Sequence, residues 1–414
     1  MNILMIEQPL NNRGDESAHR GLVRRLLAEC PGVRLTVLFW GQKKEEIDSF
    51  RVESDRVDYV NIPLGVQAKR LSRYFMRFTM PWHLHRLLYV LPVVRRFSAC
   101  YRRADFVLCA PGGINMGGFR DWPHLAFLTL ARMERKPVIY YGRSIGPFTT
   151  RTFFARSFRR QSVALLRGFS FVSLRDKRSQ DIARQLGVTF EPTIDSAFLW
   201  NEQAAVPADV ARAIGGAPCI AFVPNSLAWH FQFRKYTFDE VRGFWVKLLE
   251  RLAEAYPGHR IVMLPQTVGY SRQLPDGYRY FCEIGRCSTV DPARVVVVPE
   301  AYGSDVQQAI IAQADFLVGA RYHSVVFAIN QGVPFVSLSY EHKMNGVVEL
   351  VGRRDDEVEL ATLCGSQTGR RFDDRLVEEI VARTRRLRRD PAATAAARAM
   401  AGRCFDRLKA TLGQ

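Results

Sequence analysis

Asp315-Phe316-Leu317-Val318-Gly319-Ala320-Arg321-Tyr322-His323-Ser324-Val325-Val326-Phe327-Ala328-Ile329-Asn330-Gln331-Gly332-Val333-Pro334-Phe335-Val336-Ser337-Leu338 contains a complete strand–helix–strand unit. The apolar runs 316–318 and 334–338 read as strands, and 324–331 reads as an apolar helix stopped by Gly332. Strands without polar alternation are buried on both faces, and a helical crossover makes them parallel. This unit therefore predicts a doubly wound α/β sheet.

The same alternation extends outward in both directions. Strands are expected at 2–7, 33–39, 56–62, 105–110, 137–141 and 169–174, then at 219–224, 260–265 and 295–298. Helices are expected at 16–29, 239–255 and 304–314, among others. Residues 201–218, rich in Ala, Pro and Gly with no β-run, read as a linker. With 414 residues the chain exceeds one compact core. The expected organisation is an N-terminal Rossmann-like domain (1–200), a C-terminal one (218–372) facing it across a cleft, and an Arg- and Ala-rich helical tail (373–414).

Composition removes several classes. The formal net charge is +18, carried by 59 Lys+Arg of which only nine are lysine. Arginine suits carboxylate and phosphate, so an anionic partner is the first question. The longest apolar stretch, about 87–94, is far short of a spanning helix. The chain reaches Glu7 after only a short apolar strand, so no signal peptide is expected. Eight cysteines without a CxxC pair suggest buried thiols in a reduced, cytoplasmic compartment rather than a zinc site or disulfide frame. No GxGxxG or metal-ligand pattern is present, so no cofactor or metal is expected.

Ligands of open parallel sheets bind beyond the carboxyl ends of the strands, so the residues following each strand are the candidates. The strongest is Arg321-Tyr322-His323-Ser324, where a strand delivers a guanidinium and an imidazole to a helix start that already favours anions. The competing reading pairs Arg321 with a structural carboxylate and leaves His323 as a cap. Arg175 closes another strand as ligand or as solvated surface, with Asp176 as a helix cap. Gly112-Gly113 reads as a turn that lets backbone approach a ligand. Asn12 and Asp15 follow the first strand, where they could hold a sugar hydroxyl or cap the helix, Asp15 being the expected cap.

From Tyr59 to Ala104 there is no acidic residue, while nine cations interleave with Phe75, Phe78, Trp82 and Tyr89. An insertion at about 63–104 with this pattern suits an anionic membrane surface, or else a solvated basic face. No nucleic-acid module accompanies it, and nucleic acid is not expected as a partner.

Taken together, Asn12-Arg13-Gly14-Asp15, Arg143-Ser144-Ile145-Gly146-Pro147, Ser173-Leu174-Arg175-Asp176, Asp195-Ser196-Ala197-Phe198, Ala320-Arg321-Tyr322-His323 and Tyr340-Glu341-His342-Lys343 resemble, in order, the polysaccharide pyruvyl transferases. The resemblance implies a GT-B-like fold and transfer of a pyruvyl group from phosphoenolpyruvate to a sugar of a polysaccharide or its lipid-linked precursor, forming a ketal. It implies donor contacts from Arg321, Arg175, Ser324 and Lys343, with His323 and Arg321 catalytic. Asn12, Asp15, Gly112, Gly113 and Asn115 are expected on the acceptor side. Gly112-Gly113-Ile114-Asn115 departs from the three glycines usual in the family. A lipid-linked acceptor would place the protein peripherally on the inner face of the plasma membrane. The rival reading is a GT-B glycosyltransferase with a nucleotide-sugar donor, for which Glu341 or Glu349 would hold the ribose.

Overall fold

The computed structural model describes residues 1–9, 12–63, 89–117, 120–201, 204–227, 230–267, 277–364 and 371–414. The chain divides into two compact units. The first comprises Met1–Leu10, Ala18–Trp200 and Met400–Gln414, and the second Asn11–Ser17 and Asn201–Ala399.

In chain order the first half contains β1 (Asn2–Ile6), α1 (Arg13–Glu29), β2 (Arg34–Trp40), α2 (Lys44–Phe50), β3 (Val57–Ile62), α3 (Pro92–Arg103), β4 (Phe106–Cys109), β5 (Gly112–Gly117), α4 (Trp122–Met133), β6 (Val138–Gly146), α5 (Phe153–Arg167), β7 (Phe171–Leu174), α6 (Lys177–Gln185) and β8 (Glu191–Pro192). The sheet order is β3-β2-β1-β4-β6-β7-β8, with β5 also on β6, and every pairing is parallel. Its apolar strands are buried on both faces, as in β1 and β6. Phe97 of α3, Leu125 and Leu128 of α4, and Phe158 and Leu165 of α5 share one core with Leu4, Val107 and Val172 of the sheet.

The second half contains α7 (Ala208–Ile214), β9 (Cys219–Val223), α8 (Phe238–Ala255), β10 (Arg260–Met263), α9 (Tyr278–Cys287), β11 (Val295–Val297), α10 (Ser304–Ala312), β12 (Phe316–Gly319), α11 (Tyr322–Gln331), β13 (Phe335–Ser339), α12 (His342–Leu350), β14 (Glu357–Glu359), α13 (Asp374–Thr384) and α14 (Pro391–Leu412). Its parallel sheet runs β11-β10-β9-β12-β13-β14. A capping box between Thr237 and Glu240 opens α8, satisfying two backbone donors otherwise left without partners. Gly332, at φ 66°, closes α11 in the left-handed conformation that glycine adopts without steric cost.

Several expectations need correction. Gly112-Gly113 is not a turn but the start of β5, whose pairing with β6 is broken by register shifts. Strand β6 does not end at residue 141 but continues to Gly146, so Arg143 lies on a strand. The 201–218 segment carries α7, a short helix with Gly215 as its left-handed C-cap. Residues 373–399 of the helical tail cluster with the second unit and 400–414 with the first. Most of the basic–aromatic insertion, 64–88, lies outside the described residues. No helix among the described residues is long and apolar enough to cross a membrane.

Candidate active site

In the second unit the strand order reverses between β9 and β12, and such switch points open a crevice at the carboxyl edge. Asn225, fully buried just after β9, ties the two strands together. Its Nδ2 donates to the Ala320 carbonyl at 3.1 Å, and its carbonyl accepts from Trp245 Nε1 at 2.7 Å. Arg321 occupies the N-cap position of α11 in extended conformation, followed by Tyr322 and His323 in the first turn. Gly319 is required here, since a Cβ would lie 2.3 Å from Ser324 Oγ. That hydroxyl is itself buried and donates to the Arg321 carbonyl at 2.6 Å. Ser324, expected on the donor, thus builds the turn that presents Arg321.

Two neighbours complete this corner. Lys343, in the first turn of α12, pairs with Glu341 at 2.8 Å, and its ammonium lies 5.7 Å from the Tyr322 ring centre. Burial opposes the Glu341 carboxylate, but Lys343 and hydrogen bonds from Lys343 and Tyr340 outweigh it and hold its pKa below the ordinary glutamate range. The His230 ring packs edge-on against Tyr340 at 5.6 Å, and burial lowers its pKa. The Lys343 ammonium and the His323 ring, 4.8 Å from it between centres, thus both lie against the Tyr322 ring, next to the N-cap residue Arg321.

The other neighbour comes from the beginning of the chain. Asn12, Gly14 and Asp15 belong to the second unit, although sequence order places them in the first half. Asn12 forms an antiparallel bridge with Thr267, and the Arg13 amide donates to the Gln266 carbonyl at 2.8 Å. The Arg13 guanidinium, 4% exposed, binds Glu16 at 2.7 Å and the Glu300 carbonyl at 2.6 Å. Glu16 accepts in turn from the Ser304 amide that opens α10, where a carboxylate suits the helix dipole. This clamp seats Gly14 directly on the imidazole: a Cβ there would lie 1.8 Å from His323 Cγ and Nδ1. Asn12, rather than Asp15, is the cap of α1. Its Oδ1 accepts from the Asp15 amide at 2.7 Å, and its Nδ2 donates back to the Asp15 carboxylate. Asp15 is buried.

The first unit reverses its strand order between β1 and β4. Arg143, 1% exposed, fills that point, its guanidinium donating to the Ala110 carbonyl and to Asn115 Oδ1. Gly112 leaves the room, as a Cβ there would lie 3.2 Å from the Arg143 Nη2. Asn115 passes the network to Asp121 at 2.8 Å, and Asp121 caps α4 at the His124 amide. His124 Nδ1 then meets Glu7 at 2.9 Å, with Glu7 held at φ 61°. Neither Arg143 nor His124 was among the expected site residues. A polar residue on an apolar strand was the available signal for Arg143. Gly113 has open space around it.

Arg175 is neither solvated nor solvent-facing. Buried to 3% exposure, it pairs with Asp195 at 2.5 Å, and Asp195 caps the short helix Ser196–Leu199. Asp176 caps α6 through the Ser179 amide at 2.8 Å. Among the described residues no cluster of His, Cys, Asp or Glu could hold a metal ion, and Cys30, Cys100, Cys109, Cys219, Cys282, Cys287 and Cys404 are free thiols.

A family model described as "Polysaccharide pyruvyl transferase" matches residues 12–342, from the Asn12 cap through His323 to α12. The chain is 22% identical over 372 residues to the amylovoran biosynthesis protein AmsJ of Erwinia amylovora, covering 85% of this chain and 86% of the relative. Among solved structures it is similar to the UDP-N-acetylglucosamine 2-epimerase of Neisseria meningitidis, with TM-score 0.56, 12% identity and coverage of 100% and 99% of the two chains. It is also similar to UGT89C1 of Arabidopsis thaliana, with TM-score 0.55, 12% identity and coverage of 99% and 98%. These likenesses show a GT-B-like fold of two Rossmann-like α/β units.

Proposed function

Because the chain belongs to the polysaccharide pyruvyl transferase family, we propose that it moves a pyruvyl group from phosphoenolpyruvate to a sugar of a polysaccharide or its lipid-linked precursor. The observation that carries this reading is the corner formed by Arg321, His323 and Lys343 at the switch point of the second unit. Phosphoenolpyruvate presents a carboxylate and a phosphate on a three-carbon frame. Arg321 offers a planar fork to one, and Lys343 offers a point charge to the other.

His323 donates a proton to the donor's methylene carbon, which becomes the methyl group of the product. Positive character develops at the adjacent carbon, and one sugar hydroxyl adds there. The bond from that carbon to the phosphate oxygen breaks, and a second hydroxyl closes the ketal. Of the two hydroxyl protons, one restores His323 and the other leaves on phosphate. Asn115, Gly112 and Gly113 stay on the acceptor side in this reading, where they line the carboxyl edge of the first sheet. Arg175, whose side chain Asp195 holds through Nη1, is kept on the donor side in this reading. A cytosolic donor of this kind places the reaction on the cytoplasmic side.

A nucleotide-sugar donor is less well supported, because both carboxylates available for a ribose are engaged. Glu341 pairs with Lys343, and Glu349 with Arg354 at 2.7 Å. Thermal shift with phosphoenolpyruvate against UDP- and GDP-sugars tests the choice. Stabilisation by phosphoenolpyruvate, lost in Arg321→Ala, is the expected result. Stabilisation by nucleotide sugars alone overturns it.

A further inference from the structure

The first unit carries exposed apolar groups where a sheet of this type has no internal use for them. Phe153 is 56% and Phe154 39% exposed at the start of α5, their rings 5.6 Å apart. Val90, just ahead of α3, is 75% exposed. Single exposed apolar residues are ordinary, but an adjacent aromatic pair is not. Helices that link parallel strands run opposite to them, so the N-termini of α3 and α5 lie at the carboxyl edge of the sheet. α4 packs between these two helices, and all three share one core against the sheet. Val90 and the Phe153–Phe154 pair therefore lie on the same edge and the same face.

Charge points the same way. Arg95 and Arg96 are exposed in the first two turns of α3, and Arg151 and Arg156 flank the phenylalanines. From Arg135 to Arg175 the chain has no acidic residue, and Glu134 just before it is occupied by Tyr89 and Ser98. A merely solvated basic face would balance its cations with carboxylates and would not place two phenyl rings among them. Protruding aromatics within a field of uncompensated arginines match the acyl boundary and headgroups of an anionic lipid surface.

We infer that this edge, Val90, Phe153 and Phe154 with Arg95, Arg96, Arg151 and Arg156, docks the protein on an anionic membrane. The phenyl rings enter the headgroup–acyl boundary and the guanidiniums bind lipid phosphates. The docked edge is the one that carries Gly112 and Asn115, so an acceptor held in the bilayer by a lipid would meet the protein there. The surface does not depend on the identity of the donor.

Co-sedimentation of the full chain with vesicles tests the inference without any substrate. Vesicles of phosphatidylglycerol with phosphatidylcholine should bring down the protein at about 0.15 M salt, more strongly at lower salt, and pure phosphatidylcholine vesicles should not. Arg151→Glu with Arg156→Glu should weaken binding by roughly fivefold or more per arginine. Phe153→Ser with Phe154→Ser should abolish the salt-resistant part while leaving thermal unfolding and donor binding unchanged. Failure of the unaltered protein to sediment with anionic vesicles overturns the inference, as does equal sedimentation of the Phe153→Ser/Phe154→Ser protein. Retention on oligonucleotides without vesicle binding would assign the surface to nucleic acid instead.

Discussion

Gly14 lies against His323 so closely that a methyl group on it would occupy the imidazole, 1.8 Å from Cγ and Nδ1. More than three hundred residues separate the two in sequence, yet the first turn of α1 forms one wall of the histidine's seat. The Arg13–Glu16 pair and the Asn12–Thr267 bridge hold that wall in place.

Gly14→Ala should therefore displace His323, although alanine is the better helix former by about 1 kcal/mol. Turnover should fall by about a hundredfold, the scale of an ångström misplacement in an active site. Gly243→Ala supplies the control, since it lies in α8 with nothing near its absent Cβ. It should raise stability by about 0.5–1 kcal/mol and leave turnover alone. Equal turnover in the two variants would separate Gly14 from the site.

Loss of the proposed acid and of the proposed clamp should differ in kind. His323→Ala should lower kcat by roughly 10²–10⁴-fold with donor affinity largely kept. Arg321→Ala should weaken phosphoenolpyruvate binding by roughly 10- to 150-fold, the worth of a charge-assisted hydrogen bond. Steady-state kinetics with a phosphate-release assay read both. Near-normal turnover in His323→Ala would remove it as the acid.

The Arg175–Asp195 pair predicts a stability effect. Arg175→Ala leaves the Asp195 carboxylate, 0% exposed, without its cation, and should cost about 3–5 kcal/mol in urea unfolding. Asp195→Ala should cost a similar amount, and the double variant much less than the sum. A variant with intact stability and lost donor binding would instead place Arg175 on the donor.

His19 imposes a pH dependence on the first unit. Burial, with lesser contributions from Arg20 and Arg24, lowers its pKa from the ordinary 6.5 to about 3. The unfolded chain then binds a proton that the fold refuses between those values, so stability rises with pH through this window and levels off above 6.5. Between pH 7 and pH 5 the wild-type protein should lose about 2 kcal/mol more than His19→Asn in urea unfolding. Identical pH profiles would show that His19 titrates normally in the fold.

The strand–helix–strand reading of 315–338 carried over to the structure because its information is local. Buried parallel strands need unbroken apolar runs, and Gly332 ends α11 by its own backbone freedom. Strand β5 is not legible in the sequence for the opposite reason. Its glycines have no β-propensity, and position 117, at φ 125°, must be glycine because the Gly146 backbone lies where a Cβ would be. Asp176 capped its helix as its residue type predicts, whereas the roles of Asn12 and Asp15 were exchanged. Either type can cap, and which one does depends on where the helix begins.

Residue order and side-chain chemistry by themselves determined the alternating α/β architecture and the delivery of Arg321 and His323 to a helix start. Both follow from periodicity and capping within a few residues. Only the tertiary structure decided that Arg175 is consumed by Asp195 and that Arg143 fills a switch point. It also decided that residues 11–17 leave the half of the chain they begin in and join the second unit. Those outcomes depend on which groups meet after the sheets close, and a buried charge takes whatever partner the packing brings within reach.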